Sequence, residues 1–377
     1  MHEMENKKIV AFFAIVLIIA GGAYWYYSRN TNVPENGSLQ YEILAEGLDV
    51  PWSMDVSQDG GIFFTERGGK VRLLEKGEVN TLYSMEVKAQ ENVESGLLGL
   101  TLHPDFPEDP RVLIYYTYTK QDGTPWNRIS WFNYSGMELH NEEVFLDNIP
   151  AGDIHDGGRV KFGPDGKLYV ATGETGEGEL AQDLNSLAGK ILRYNIDGTV
   201  PEDNPFEGSP IYSYGHRNPQ GLAWHPETGE LYVTEHGPSG ENFWFAHDEI
   251  NLIKPGSNYG WPQVIGNSEN PDYTDPIFHT GEETWAPSGA TFLDDPDSSW
   301  HGRLFVANLR GTSIRMIYFS PPDHTEVSLN TPIFEDFGRI RTVVQGPDDH
   351  LYFCTSNRDG RGDPRDRDDV IVRILPP

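Results

Sequence analysis

A histidine that can meet a carboxylate is the smallest constellation in this chain able to move a proton. The stretch Asp153-Ile154-His155-Asp156-Gly157-Gly158-Arg159 runs on through Phe162-Gly163-Pro164-Asp165-Gly166-Lys167-Leu168-Tyr169-Val170 to Gly173-Glu174. Gly-Pro-Asp-Gly between two alternating apolar runs predicts a hairpin, Val160 to Phe162 pairing with Leu168 to Ala171. A fold at Pro164 to Gly166 brings His155 and Glu174, one beyond each strand's far end, to the same end. There the carboxylate can orient the imidazole as a general base. Taken alone, the stretch reads more readily as a surface histidine in a Gly-rich loop.

Other groups with chemistry flank similar short strands: Glu94, His216-Arg217-Asn218, His236-Gly237-Pro238, Arg310 and Arg339-Ile340-Arg341. Four arginines gathered on one face of so acidic a chain suggest an anionic ligand, because Arg recognises carboxylates through paired N–H donors. Arg339 and Arg341 are two apart and share a face if Gly338 to Val344 is a strand. Two guanidiniums so placed need an anion between them, either a ligand or an internal carboxylate.

The elements that must position these groups recur. A turn rich in Asp, Gly and Pro leads into a short strand with aromatic or β-branched residues. It occurs at Ser57 to Glu66, His103 to Tyr116, Gly163 to Val170, His225 to Val233, Asp295 to Val306 and Gly346 to Phe353. Copies about 45 to 70 residues apart match propeller blades rather than a sandwich. The expected fold is therefore all-β, a six-bladed β-propeller from residue 41 to 377, without a long amphipathic helix. In a propeller, loops at one end of the axis converge from every blade, so residues distant in sequence can share one site.

Composition sets the limits. The chain has 377 residues, 37% hydrophobic and 12% aromatic, with 40 Gly and 27 Pro, enough for a core and many turns. A balance of 58 acidic to 28 basic residues, net −30, argues against nucleic acid, whose backbone needs Lys and Arg. Cys354 is the only cysteine, which excludes an intrachain disulfide and a Cys-based metal site. In Leu351-Tyr352-Phe353-Cys354 it reads as a small residue of a buried strand. Before the repeats, Lys7-Lys8 precede an uncharged apolar run from Ile9 to Tyr27, long enough to span a bilayer. Residues 1–30 are expected to be a membrane anchor, or a signal segment cut near Gly21-Gly22-Ala23. Residues 31–40 follow as a linker. Both readings put the propeller outside the cytoplasm, membrane-bound or secreted.

From about Glu42 to the C-terminus the chain resembles the soluble aldose sugar (glucose/sorbosone) dehydrogenase family, which uses pyrroloquinoline quinone (PQQ). The segments that carry the resemblance are Gly47-Leu48-Asp49-Val50-Pro51-Trp52, Gly96-Leu97-Leu98-Gly99 with His103-Pro104-Asp105-Phe106, and His155-Asp156-Gly157-Gly158-Arg159. Gly215-His216-Arg217-Asn218-Pro219-Gln220-Gly221, Glu235-His236-Gly237-Pro238, Asp248-Glu249-Ile250-Asn251-Leu252-Ile253 and Asn258-Tyr259-Gly260-Trp261-Pro262 complete them. The resemblance implies PQQ lying over the propeller axis, His155 as catalytic base and Glu174 as its acidic partner. It implies Arg217, Asn218, Arg310, Gly311, Arg339 and Arg341 as cofactor-binding residues. Glu94 joins that set where well-studied members have Gln. The carbonyls of Gly237 and Pro238 match ligands of a Ca²⁺ bound to PQQ, and Glu249 and Tyr259 match a second calcium site. Ca²⁺ is a hard ion suited to such oxygens and to polarising a quinone carbonyl. An aldose substrate and an external electron acceptor follow from the same likeness.

The segment Ser239 to His247 lengthens the loop after the calcium-binding carbonyls. Its Phe243, Trp244 and Phe245 are expected either to wall the substrate or to pack on a neighbouring blade. Two other functions stay open on sequence alone. A calcium-dependent lactone or ester hydrolase would want an acidic and amide cluster in place of the Arg339/Arg341 pair. A non-catalytic glycan- or protein-binding propeller would leave His155, Arg217 and Arg339 idle.

Overall fold

The computed structural model describes residues 39–89 and 93–375. The expected anchor or signal segment and all of the linker before Leu39 lie outside the described residues. Among the described residues no helix is long and apolar enough to cross a membrane. Helical structure there is confined to three short 3-10 turns.

Twenty-four strands form six four-stranded antiparallel sheets, the six blades expected from the repeats. β1 spans Gln40–Ala45, so the linker ends earlier than expected. The first blade is β2 (Pro51–Val56), β3 (Ile62–Glu66), β4 (Lys70–Glu75) and β5 (Glu78–Ser84). The second is β6 (Leu97–Leu102), β7 (Arg111–Thr119), β8 (Pro125–Ser135) and β9 (Glu138–Pro150). The third is β10 (Val160–Phe162), β11 (Leu168–Thr172), β12 (Lys190–Tyr194) and β13 (Ile211–Tyr214). The fourth is β14 (Pro219–Trp224), β15 (Leu231–Glu235), β16 (Glu249–Leu252) and β17 (Phe278–His279). The fifth is β18 (Pro287–Phe292), β19 (Leu304–Asn308), β20 (Ser313–Ser320) and β21 (Glu326–Ile333). The sixth is β22 (Ile340–Gln345), β23 (Leu351–Thr355) and β24 (Ile371–Leu375), with β1 added on the outside of β24.

Packing explains why the second strand of a blade reads as a solid apolar run. β3, β11, β15, β19 and β23 are buried along their whole length, because each blade is covered on both faces by its neighbours. The core is accordingly divided. One cluster joins Phe63 and Leu73 of the first blade to Leu100 and Ile114 of the second. Another joins Phe305 and Ile314 of the fifth to Val343 and Phe353 of the sixth. Cys354 sits fully buried between the sixth and first blades, its thiol pushed up to about 12 by burial. It is a packing residue, as expected.

Every repeated turn joins the first and second strands of a blade. The turn Gly163–Gly166 links β10 to β11, with Val160 opposite Val170 and Phe162 opposite Leu168, the expected register. All six turns therefore lie at one end of the axis. Residues just before a first strand and just after a second strand lie at the other end. In five blades that other end of the inner hairpin is irregular, as between Pro51 and Met54, Pro219 and Gly221, or Ile340 and Thr342. Bulges of this kind re-aim side chains and are common next to sites.

Candidate functional site

The site is built at the end of the axis away from the repeated turns. A cavity of about 620 Å³ there is lined by Glu94, His155, Arg217, His236, Arg310 and Arg339, among others. These come from the second to the sixth blades, each from a segment that precedes a first strand or follows a second one.

His155 precedes β10 and Glu174 follows β11, and His155 Nδ1 lies 2.8 Å from Glu174 Oε1. Both are buried, at 6% and 1% exposure. A carboxylate only accepts, so Nδ1 carries the proton and Nε2 is left as the acceptor. Nε2 makes no hydrogen bond among the described residues and opens on the cavity. The dyad is fixed by its backbone. His155 has φ 57°, the left-handed region, a conformation that persists where its surroundings over-determine it. Its N–H donates to Glu94 Oε2 at 2.9 Å, and its carbonyl accepts from Thr175 at 3.1 Å. Gly173 permits the approach, since a Cβ there would stand 2.0 Å from the His155 carbonyl oxygen.

Glu94 is held as an anion. Burial would raise its pKa, but the positive charge around it, including the Arg361 guanidinium that donates to it, brings it down to about 2. Arg361 Nη1 donates to its Oε1 at 2.7 Å. The cation that a carboxylate here requires is thus supplied by the loop after β23. His236, after β15, is pushed down to about 3 chiefly by burial, and its Nε2 is buried without a partner.

The arginines differ from one another. Arg310 is exposed and makes no ion pair among the described residues, while Gly311 beside it donates its N–H to the Trp285 carbonyl. Arg217 is 3% exposed and pairs with Glu241, which the Ser239–His247 segment brings over it. Asn218 is fully buried, accepts the Gly157 N–H at 3.1 Å and leaves Nδ2 without a partner. Arg339 and Arg341 come together around one anion, as two guanidiniums so placed require. The strand begins at Ile340, later than expected, and is irregular between Ile340 and Thr342. The anion between them is Asp359 of this chain. Arg339 donates to its Oδ2 through Nε at 2.9 Å and Nη2 at 2.7 Å, and Arg341 Nη2 stands 3.8 Å from the same oxygen. Arg341 Nε remains buried without a partner.

Gly237, Pro238, Glu249 and Tyr259, expected at two calcium sites, all line one small cavity of about 10 Å³, together with Glu235. The Glu249 carboxyl is pushed up to about 8 by burial and by the Glu235 charge beside it. The Tyr259 hydroxyl is committed to the chain, donating to Leu252 O at 2.6 Å and accepting from Lys254 N at 2.9 Å. Among the described residues no group of three or more His, Cys, Asp or Glu side chains could hold a metal ion, so a cation here would depend on main-chain oxygens.

Sequence reasoning missed Glu241, Arg361 and Asp359. Asp359 and Arg361 follow the second strand of the last blade, the rule that places Glu174, and that position was the available signal. The aromatic segment is settled in part. Phe243 and Phe245 are 93% and 62% exposed, so they do not pack on a blade, whereas Trp244 meets Trp261 edge-on at 6.5 Å.

The Glucose / Sorbosone dehydrogenase family model matches residues 48–372. The aldose sugar dehydrogenase YliI of Escherichia coli K12 is 30% identical over 93% of this chain and 96% of its own. Quinoprotein glucose dehydrogenase B of Acinetobacter calcoaceticus is 34% identical over 62% of this chain and 54% of its own. The PQQ-bound aldose sugar dehydrogenase of Streptomyces coelicolor superposes with a TM-score of 0.77 at 36% identity, covering 91% of this chain and 99% of that one. With the propeller and the His155–Glu174 dyad in place, the match across nearly the whole blade region makes this chain a member of the glucose/sorbosone dehydrogenase family of oxidoreductases.

Proposed function

We propose that the chain oxidises the C1 hydroxyl of an aldose sugar to the lactone with PQQ as its cofactor. The observation that carries this reading is the His155–Glu174 pair opening on an arginine-lined cavity. The residues fit the group. Arg217, Arg310 and Arg339 line the cavity and would hold the carboxylates of PQQ, and Gly311 would let its main chain come close. Buried side-chain donors without partners at Asn218 Nδ2 and Arg341 Nε, and the unpartnered Nε2 of His236, are groups of the kind a ligand site leaves unpaired. Glu94 is neutralised by Arg361 and fixes the base rather than opposing the cofactor. When bound, PQQ supplies the acceptor for a hydride.

The chain's own residues supply the proton chemistry. His155 takes the C1 hydroxyl proton at Nε2, and its removal lets C1 give up its hydrogen with the bonding electrons. Glu174 keeps Nδ1 protonated beforehand and stabilises the imidazolium afterwards. Calcium fits the small cavity beside the site, where Glu235 and Glu249 confront one another next to Gly237, Pro238 and Tyr259. A divalent cation would relieve that repulsion. An external acceptor would collect the electrons, and the apolar run from Ile9 to Tyr27 would hold the propeller at the outer membrane surface.

The test is reconstitution. Purified protein given PQQ and Ca²⁺ is expected to reduce a dye only when an aldose is added, and to lose that activity in EGTA. Absence of both PQQ binding and sugar-dependent reduction would overturn the assignment.

A further inference from the structure

Arg217 borders the catalytic cavity, yet it already holds an anion. Its Nε and Nη2 both donate to Glu241 Oε1, the first at 3.2 Å, and Nη1 donates to the His236 carbonyl at 3.3 Å. The Nε–Nη2 edge is one that grips a carboxylate with paired donors. Glu241 therefore stands where a ligand carboxylate would stand on this arginine.

The site's two internal anions on arginine are held differently. Asp359, between Arg339 and Arg341, has 2% of its side chain exposed, and its Oδ1 accepts the Arg361 N–H at 2.9 Å. Glu241 has 35% of its side chain exposed and rides on the Ser239–His247 segment. That segment is tied at its two ends, where Gly237 N donates to Asp248 Oδ1 and His247 N donates to Gly281 O, each at 2.8 Å. Between those ties Glu241 reaches Arg217 and Trp244 meets Trp261 edge-on, while Phe243 and Phe245 stand out in solvent. Gly240, next to Glu241, has φ 131°, open to glycine and rarely to other residues. At the far end Ala246 and His247 are left-handed, at 58° and 54°. A strap with turns at both ends and its large apolar rings in water can move without disturbing the blades.

Charge decides when it moves. Arg217 is 3% exposed, and leaving a buried guanidinium unpaired is strongly unfavourable. Glu241 lies close to water and loses little by rehydrating once another carboxylate takes its place. We infer that Glu241 is a built-in competitor for the anion seat of Arg217, and that the Ser239–His247 segment is a strap held down until a carboxylate of the cofactor displaces it, a role that rests on the PQQ reading above. Glu241 then governs entry of the cofactor and takes no part in the proton chemistry.

Titrating the apo-protein with PQQ in Ca²⁺ buffer, followed by quenching of tryptophan fluorescence, tests it. Glu241→Gln is expected to bind PQQ about 10-fold tighter than wild type, since removing the competitor raises the fraction of protein ready to bind. In an Arg217→Met background the same change should leave affinity unaltered, because the competition is for that guanidinium. A merely structural pair would give the opposite sign, weaker binding in Glu241→Gln. Equal or weaker binding by Glu241→Gln, with PQQ bound by wild type, overturns the strap and leaves the cofactor assignment standing. No binding by either protein removes both. Should Arg217→Met fail to fold, the sign of the Glu241→Gln effect decides.

Discussion

The third and fourth blades carry the same pair of side chains in the same place. His155 and Glu174 bracket the inner hairpin of one, and His216 and Glu235 bracket that of the other. Each histidine reaches its glutamate through Nδ1 at 2.8 Å, and each pair is 19 residues apart. They differ at the other ring nitrogen. His216 is fully buried, its Nε2 bonded to Ser213 Oγ at 2.8 Å and its ring stacked on Tyr259 at 4.7 Å between centroids. His155 has Nε2 open to the cavity. A histidine–carboxylate pair is therefore not by itself a sign of catalysis. What makes one a base and the other a brace is whether the second nitrogen has been given a partner.

Substitutions can break that distinction, and the largest effect is expected at His155. His155→Ala should lower kcat/KM by about 10²- to 10⁴-fold with Tm and cofactor affinity little changed. Steady-state kinetics beside a thermal melt would show it, and near-normal turnover would move the base elsewhere. His216→Ala should do the reverse. It leaves Glu235 buried beside Glu249 without its imidazole, and unfolding free energy should fall by about 2–4 kcal/mol. Urea titration of the apo-protein is the measurement, and an unchanged midpoint would deny His216 its bracing role. The smallest effect is expected from Ser213→Ala, which frees His216 Nε2 inside the core. Loss of one buried hydrogen bond should cost about 1 kcal/mol and leave kcat/KM per folded molecule unchanged. A gain of activity there would mean that burial, rather than the missing partner, is what silences the second pair.

The blades were legible because each inner hairpin announces itself by a turn of Asp, Gly and Pro before a solid apolar strand. The dyad was legible for the same reason, since a hairpin with a definite turn fixes what meets at its open end. The contrast between His155 and His216 was not. It depends on Ser213 and Tyr259, whose contacts with His216 come from how β13 and the segment after β16 lie against β14, and no local pattern encodes that. Arg339 and Arg341 were legible as a pair around an anion, but spacing alone could not say whether that anion is a ligand or a carboxylate of this chain, and Asp359 is the one they share. Asp359 and Arg361 were hidden in a run of alternating charge from Arg358 to Asp369, where composition alone does not separate a site residue from a solvated one.

β1 lies beside β24, with Ile43 opposite Val372, so the two ends of the described chain are neighbours in one sheet. That closure has a kinetic side. During synthesis β1 emerges before every other strand of the ring and must wait, unpaired, for β24, the last of those strands to be made. Five blades can fold meanwhile from contacts local in sequence, but the ring cannot close until β24 has left the ribosome. Closing so long a loop is slow chiefly through its entropy. The late step shuts the sixth blade, which carries Arg339, Arg341 and Asp359, so the arginine side of the site is completed only when the circle is.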